Sequence, residues 1–376
     1  MFSISFPAKS KHAHPIATHV EVASTPSPFS VLLWSAVVAG LLVLIILTSD
    51  ISFPQAKTDR RFWHAMSDTV QDDQAHVMGK VLSGDAAAAD VVMLGTSSAR
   101  EALRLDREFN AQLKQQHGSS ITTINLSSGA QSPIEVLLIA EAIQPREGQL
   151  FILFISLSSL KQPKPFEAIE HGKFMYPPGE LIEKYSHRKI FPGYWQNTKN
   201  RLIYFARAKR EDLYRRLNYR LKYWIGEHVY GETRPAYLPH LNVGRPPLEP
   251  AVKKRQIASF KTDASRYLNS NAAYVANTLA VLSEYLSNRK CRFIIALPPE
   301  IRNEMHDLFP DEFRVFTEIL DTLQKTHLVE RVNLNDSMKW EAGDFRDLTH
   351  VNESGRIKWS TALAAWLARQ PFGKTP

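Results

Sequence analysis

The chain has 376 residues, of which 44% are hydrophobic and 22% charged, with a net charge of +8. That balance excludes a disordered chain and allows two compact units or one enlarged domain. It favours anionic neighbours without choosing among phospholipid headgroups, acidic polysaccharide and nucleic acid. The single cysteine, Cys291, excludes an intrachain disulfide or a cysteine-clustered zinc site and leaves an oxidising compartment allowed but not indicated.

Residues 1–28 carry Pro, Ser, Thr and His without periodicity and read as a flexible tail. From Phe29 to Leu47 no charge occurs, and about 19 helical residues reach roughly 28 Å, close to a bilayer's hydrocarbon thickness. A cleaved signal peptide is the rival, but its apolar region is usually shorter and no small-x-small cleavage site follows Leu47. The expectation is a transmembrane anchor over 29–48. The flanking charges, Lys9 and Lys11 before it and Lys57, Arg60 and Arg61 after it, leave its orientation nearly balanced.

Residues 49–89 read as a linker and a helix, with Phe62, Met66, Val70, Val77 and Val81 as inward positions. Three strand-like runs follow: "VVMLG" at 91–95, "TTINLSS" at 122–128 and "FILFIS" at 151–156. Between them "SAREALRLDREFNAQLKQQ" and "SPIEVLLIAEAIQ" read as helices. The pattern resumes with the amphipathic "NAAYVANTLAVLSEYLSNRK" and a strand, "CRFIIALPP" at 291–299. A helix, "EFRVFTEILDTLQKT", a strand, "LVERVNLND", and a last helix, "ESGRIKWSTALAAWLARQ", complete it. Alternating strands and helices predict an α/β fold, a doubly wound, mostly parallel sheet of five strands. Near-continuous apolar strands fit a sheet covered on both faces.

Residues of about 160–260 break the rhythm and read as a helical insertion in a domain covering 90–376. Its centre places Leu213, Leu217 and Leu221 at helical spacing among Arg215, Arg216, Arg220 and Lys222. That helix can lie on anionic headgroups, dock on a partner, or cover the core with a solvated face.

In a doubly wound sheet, functional groups gather at the carboxyl ends of the strands. The first strand delivers Gly95, Thr96, Ser97 and Ser98 there. Either serine can cap the following helix, or one can be a nucleophile. After the last strand comes "DFRDLTHVNESG", with Asp347 three residues before His350. At that spacing the carboxylate can accept from one imidazole nitrogen while the other points outward as a base, the arrangement that activates a serine. With 13 histidines in the chain, the pair alone is a weak signal; its place before the last helix is what makes it informative.

These two stretches resemble motifs of the SGNH (GDSL-like) hydrolase superfamily, which has a Gly-Asp-Ser turn after its first strand and Asp-x-x-His near its end. "GTS" (Gly95 to Ser97) matches with Thr for Asp, and "DLTH" (Asp347 to His350) matches unchanged. The resemblance covers about 90–160 and 270–370. It implies a flavodoxin-like fold of SGNH type, with Ser97 as nucleophile, His350 as base and Asp347 orienting it. It further implies an oxyanion hole from the amides of Ser97 and Gly129. The family's Asn after the third strand is replaced here by "ISLSSL", where Ser156, Ser158 or Ser159 can substitute, Ser158 being the one assigned.

The altered first block and the missing Asn look more like membrane-anchored members, such as the D-alanyl transfer protein DltD and the alginate O-acetylation proteins. That likeness implies a catalytic domain outside the cytoplasmic membrane, periplasmic or extracellular, beside a multi-spanning acyltransferase. The expectation is a serine acylesterase or O-acyltransferase acting on a cell-envelope or exported polysaccharide. The alternative is a non-catalytic partner of a membrane-bound acyltransferase. Arg100 can hold an anionic group near Ser97, although an exposed helix arginine is the simpler reading. "LPPE" (Leu297 to Glu300) can line the crevice or merely end its strand. His171, His187 and His228 show no metal spacing; no Walker loop or G-x-G-x-x-G occurs, and neither cofactor nor nucleic acid is expected.

Overall fold

A computed structural model describes residues 27–48, 73–129, 131–160, 190, 249–300, 302–326 and 329–372. The chain divides into two units, Met1–Ser49 and Asp50–Pro376. In the first, α1 (Pro28–Thr48) is a helix without a polar stripe. Phe29, Leu32 and Trp34 are 75%, 70% and 67% exposed, and Val31, Leu33, Val38, Leu41 and Leu42 are exposed too. Its side chains are described only as far as Leu42, roughly 22 Å of helix. Among the described residues no helix is long and apolar enough to cross a membrane, so the span expected over 29–48 enters only as a proposal.

In the second unit, α2 (Asp73–Leu82) and α3 (Asp85–Ala88) precede β1 (Val91–Gly95). Val77 and Val81 are buried, as their spacing predicts; Phe62, Met66 and Val70 lie outside the described residues. Beyond β1 come α4 (Ser97–Ala102), α5 (Asp106–His117), β2 (Thr123–Asn125), α6 (Pro133–Ile143) and β3 (Leu150–Phe154). Then follow α7 (Pro250–Ser287), β4 (Arg292–Ala296), α8 (Arg302–Leu308), α9 (Pro310–Thr326), β5 (Glu330–Val332) and α10 (Glu353–Leu367).

The strands form one sheet in the order β2-β1-β3-β4-β5, every ladder parallel. Strand residues alternate between two cores. Val92, Leu94, Phe151, Leu153, Phe293 and Ile295 face α6, α7 and α9. Val91, Met93, Leu150, Ile152, Phe154 and Ile294 face α4, α5 and α10. Burial on both faces is why these strands read as unbroken apolar runs; each such side chain contributes about 1.5–3 kcal/mol of transfer free energy.

Two expectations need correction. The stretch 98–116 is not one helix: it breaks at Leu103–Leu105 into α4 and α5. Leu103 is extended and buried, and Asp106 opens α5 with its carboxylate accepting from Asn125 N (2.8 Å) and pairing with Lys80. Tertiary bonds at the break outweigh local helix preference. Second, the helix read as beginning at Asn271 starts earlier, within the stretch read as an insertion: α7 runs 38 residues from Pro250. The long helix is tied at mid-length, where Asn271 Nδ2 donates to Leu160 O (3.0 Å) and Tyr274 Oη accepts from Ile134 N (3.2 Å). The basic helix around 199–224 and the three histidines of the insertion lie outside the described residues.

Candidate active site

Strand order reverses at the β1/β3 boundary, where parallel sheets of this kind open a crevice at their carboxyl ends. The exit of β1 is tightly packed there. A Cβ on Gly95 would sit 2.7 Å from Phe154 O and 2.9 Å from Phe154 Cβ. Only glycine lets β1 leave the sheet this close to β3. The chain then enters α4 with Thr96 as N-cap, and the Thr96 side chain makes no cap hydrogen bond. Neither serine is therefore the cap of this helix. Ser97 stands at the first helical position, where its own N–H has no intrahelical acceptor.

The Ser97 hydroxyl is instead 2.9 Å from His350 Nε2, across 253 residues of sequence. His350 sits in a tight turn between β5 and α10. Phe345 and Val351 form an antiparallel bridge, and Arg346 N donates to His350 O (2.9 Å). Inside the turn Asp347 Oδ1 accepts from Thr349 N, His350 N and His350 Nδ1, each at 2.9 Å. A carboxylate can only accept, so Nδ1 carries the imidazole proton and Nε2 is left to accept from Ser97. Burial pushes the Asp347 carboxyl up, but its bonds and charge interaction with His350, with the amides of Thr349 and His350, outweigh that and bring it down to about 2. It is ionised throughout the neutral range.

The turn is clamped onto α10. Buried Asp344 accepts from Glu341 N (2.9 Å), Ser354 Oγ (2.8 Å) and Lys358 Nζ (2.7 Å). Burial raises the Asp344 carboxyl and these partners, Lys358 foremost, bring it below its ordinary value. Asn352 caps α10 by accepting from Gly355 N (3.1 Å). A side chain at Gly355 would collide with Asp344 O and come within 2.8 Å of Val351 Cβ, so the turn and the helix need a glycine at their contact.

The remaining expected residues reach the same edge. Gly129 lies in the turn after β2, which is tied to the β1 exit: Ser128 N donates to Gly95 O (3.0 Å), and buried Gln131 accepts from Gly95 N (2.8 Å). Ser158 follows β3, whose Phe154 is in register with Gly95, and its hydroxyl is 2.6 Å from that of Ser156. "LPPE" ends β4 and packs on the β5 exit, Asn335 donating to Pro298 O (2.9 Å) and accepting from Glu300 N (3.3 Å).

Arg100 is not the exposed helix residue that its position suggests. It is 7% exposed and bonds to Glu101 (3.3 Å), because α4 is covered by α10 and the His350 turn. Gln131, Glu101, Arg346 and Asp344 also escaped sequence reasoning. Glu101 and Arg346 carried a signal, opposite charges flanking the two motifs; Gln131 carried none.

Cys291 offers no rival nucleophile, since burial pushes its thiol up to about 11. Among the described residues no cluster of His, Cys, Asp or Glu could hold a metal ion. Compared with models of known families the chain matches none, and no curated protein matches its sequence.

Proposed function

We propose that this chain is a serine acylesterase or O-acyltransferase of SGNH type, anchored in the cytoplasmic membrane with its catalytic domain on the periplasmic or extracellular side. The observation that carries the reading is the contact series from Ser97 Oγ to His350 Nε2 and from His350 Nδ1 to Asp347, at 2.9 Å each. In the proposed reaction His350 Nε2 takes the hydroxyl proton as Ser97 Oγ bonds to an acyl carbonyl carbon. The imidazolium then gives that proton to the departing alkoxide as its bond to the acyl carbon breaks. A second hydroxyl compound repeats the steps in reverse and frees Ser97. Water as that compound yields a carboxylic acid, and a sugar hydroxyl yields a new ester. Asp347, ionised and holding Nδ1, stabilises the charged imidazole in between.

The amides of Ser97 and Gly129 are the proposed donors to the tetrahedral oxyanion, with Ser158 in the role that an asparagine has in the family. A donor of this kind is worth about 2.7–4 kcal/mol in the transition state. The acylated polymer is proposed to be a cell-envelope or exported polysaccharide, and a multi-spanning membrane acyltransferase is the proposed partner. The resemblance supports both; the exposed apolar surface of α1 supports the anchor. The test is hydrolysis of a small acetyl ester by purified protein. Ser97→Ala is expected to lower the rate by at least three orders of magnitude without changing the melting temperature. Undiminished hydrolysis by that variant would remove Ser97 from the chemistry.

A further inference from the structure

The short helix that carries Ser97 also carries a carboxylate that the reaction does not use. Glu101 is 2% exposed, and a carboxylate so far from water is costly unless cations meet it. Two do: Arg100 Nη2 lies 3.3 Å from its Oε1, and Arg346 Nη2 lies 2.9 Å from its Oε2. Arg346 is 9% exposed and directly precedes Asp347, with its Nε 3.6 Å from Asp347 Oδ2. Charges therefore alternate along a buried string, Arg100, Glu101, Arg346 and Asp347, which ends at the imidazole of His350.

We infer that Glu101 is a positioning residue: its ion pair with Arg346 sets the distance between the helix bearing Ser97 and the turn bearing His350. The inference rests on the acyl-transfer reading. The Asp347–His350 contact is local, three residues apart, and needs no other element. The Ser97–His350 contact joins segments 253 residues apart through one hydrogen bond. A single hydrogen bond, weak in net terms, does not by itself hold two elements to the tolerance that proton transfer demands. The Glu101–Arg346 pair bridges the same two segments in a dry setting where charges attract strongly, and it does so without occupying the reactive atoms.

The test uses the full chain and the rate at which a fluorophosphonate probe labels Ser97, with the downfield proton resonance of His350 Nδ1 as a second readout. Glu101→Gln is expected to slow labelling on the order of 100-fold, the cost of a displacement near 1 Å, while the resonance persists. That variant strands the Arg346 charge, so Glu101→Gln with Arg346→Met removes both charges and is expected to regain melting temperature but not labelling rate. Labelling of Glu101→Gln at the wild-type rate would overturn the positioning role. So would loss of the resonance in Glu101→Gln, or a double variant whose rate returns together with its stability. A wild-type chain that does not label at all removes the triad, and this inference with it; a labelled wild type with unaffected variants removes only the inference.

Discussion

Asp347 combines burial with ionisation. Its side chain is 10% exposed, yet its carboxyl is held down to about 2 because His350 and two backbone amides aim hydrogens at it. The folded state therefore favours the ionised form more than the unfolded chain does, whose carboxyl titrates near 3.8. A depressed carboxyl contributes stability that is complete above the unfolded value and disappears as pH falls through the folded one. The contribution is on the order of 2 kcal/mol and should be lost between about pH 4 and pH 2. Asp347→Asn should accordingly be less stable than the wild type at pH 6, with the gap closing by pH 2. Denaturant titrations at several pH values measure this, and a gap independent of pH would contradict it.

At the scale of elements, what was legible in the sequence follows from what each element buries. β1, β3 and β4 lie between two helical layers, so Val91–Gly95, Leu150–Phe154 and Arg292–Ala296 read directly as apolar runs. The break at Leu103–Leu105 was not legible, because it depends on Asp106 bonding to β2 and Lys80 rather than on any helix breaker. Burial of Arg100 was equally hidden, since helical spacing cannot tell that α10 covers α4. The meeting of Ser97 with His350 and Asp347 was legible because both motifs sit at strand exits on the same edge, which topology brings together. Which of Ser156, Ser158 and Ser159 would serve as the proposed third donor was not, because three serines crowd one short turn. For α1, only Ile357 elsewhere among the described residues is a large apolar side chain so exposed, which an aqueous setting does not explain. Membranes from cells expressing the full chain should keep it in the pellet after alkaline carbonate extraction. Release into the supernatant would contradict the proposed anchor.

For the whole molecule, the fold joins two distant stretches of chain. The parallel order β2-β1-β3-β4-β5 returns the last helix and its preceding turn to the face of β1. Trp359, fully buried, lies 6.4 Å from Phe154 and from Trp340, so the same packing that closes the second core seats the His350 turn. Gly95 and Gly355 each stand where a side chain would collide with neighbouring backbone, one shortly before Ser97 and one shortly after His350 in the chain. The site is thus a consequence of topology, held by buried charge pairs.

The most direct measurement is the mass of the Ser97 peptide after the full chain has reacted with a fluorophosphonate. A hydroxyl whose proton is drawn by an imidazole 2.9 Å away attacks phosphorus, whereas ordinary surface serines do not. The expected result is one adduct, on Ser97, formed by the wild type and absent from His350→Ala. A wild-type chain that carries no adduct there, or a His350→Ala chain labelled as fast as the wild type, would contradict the account.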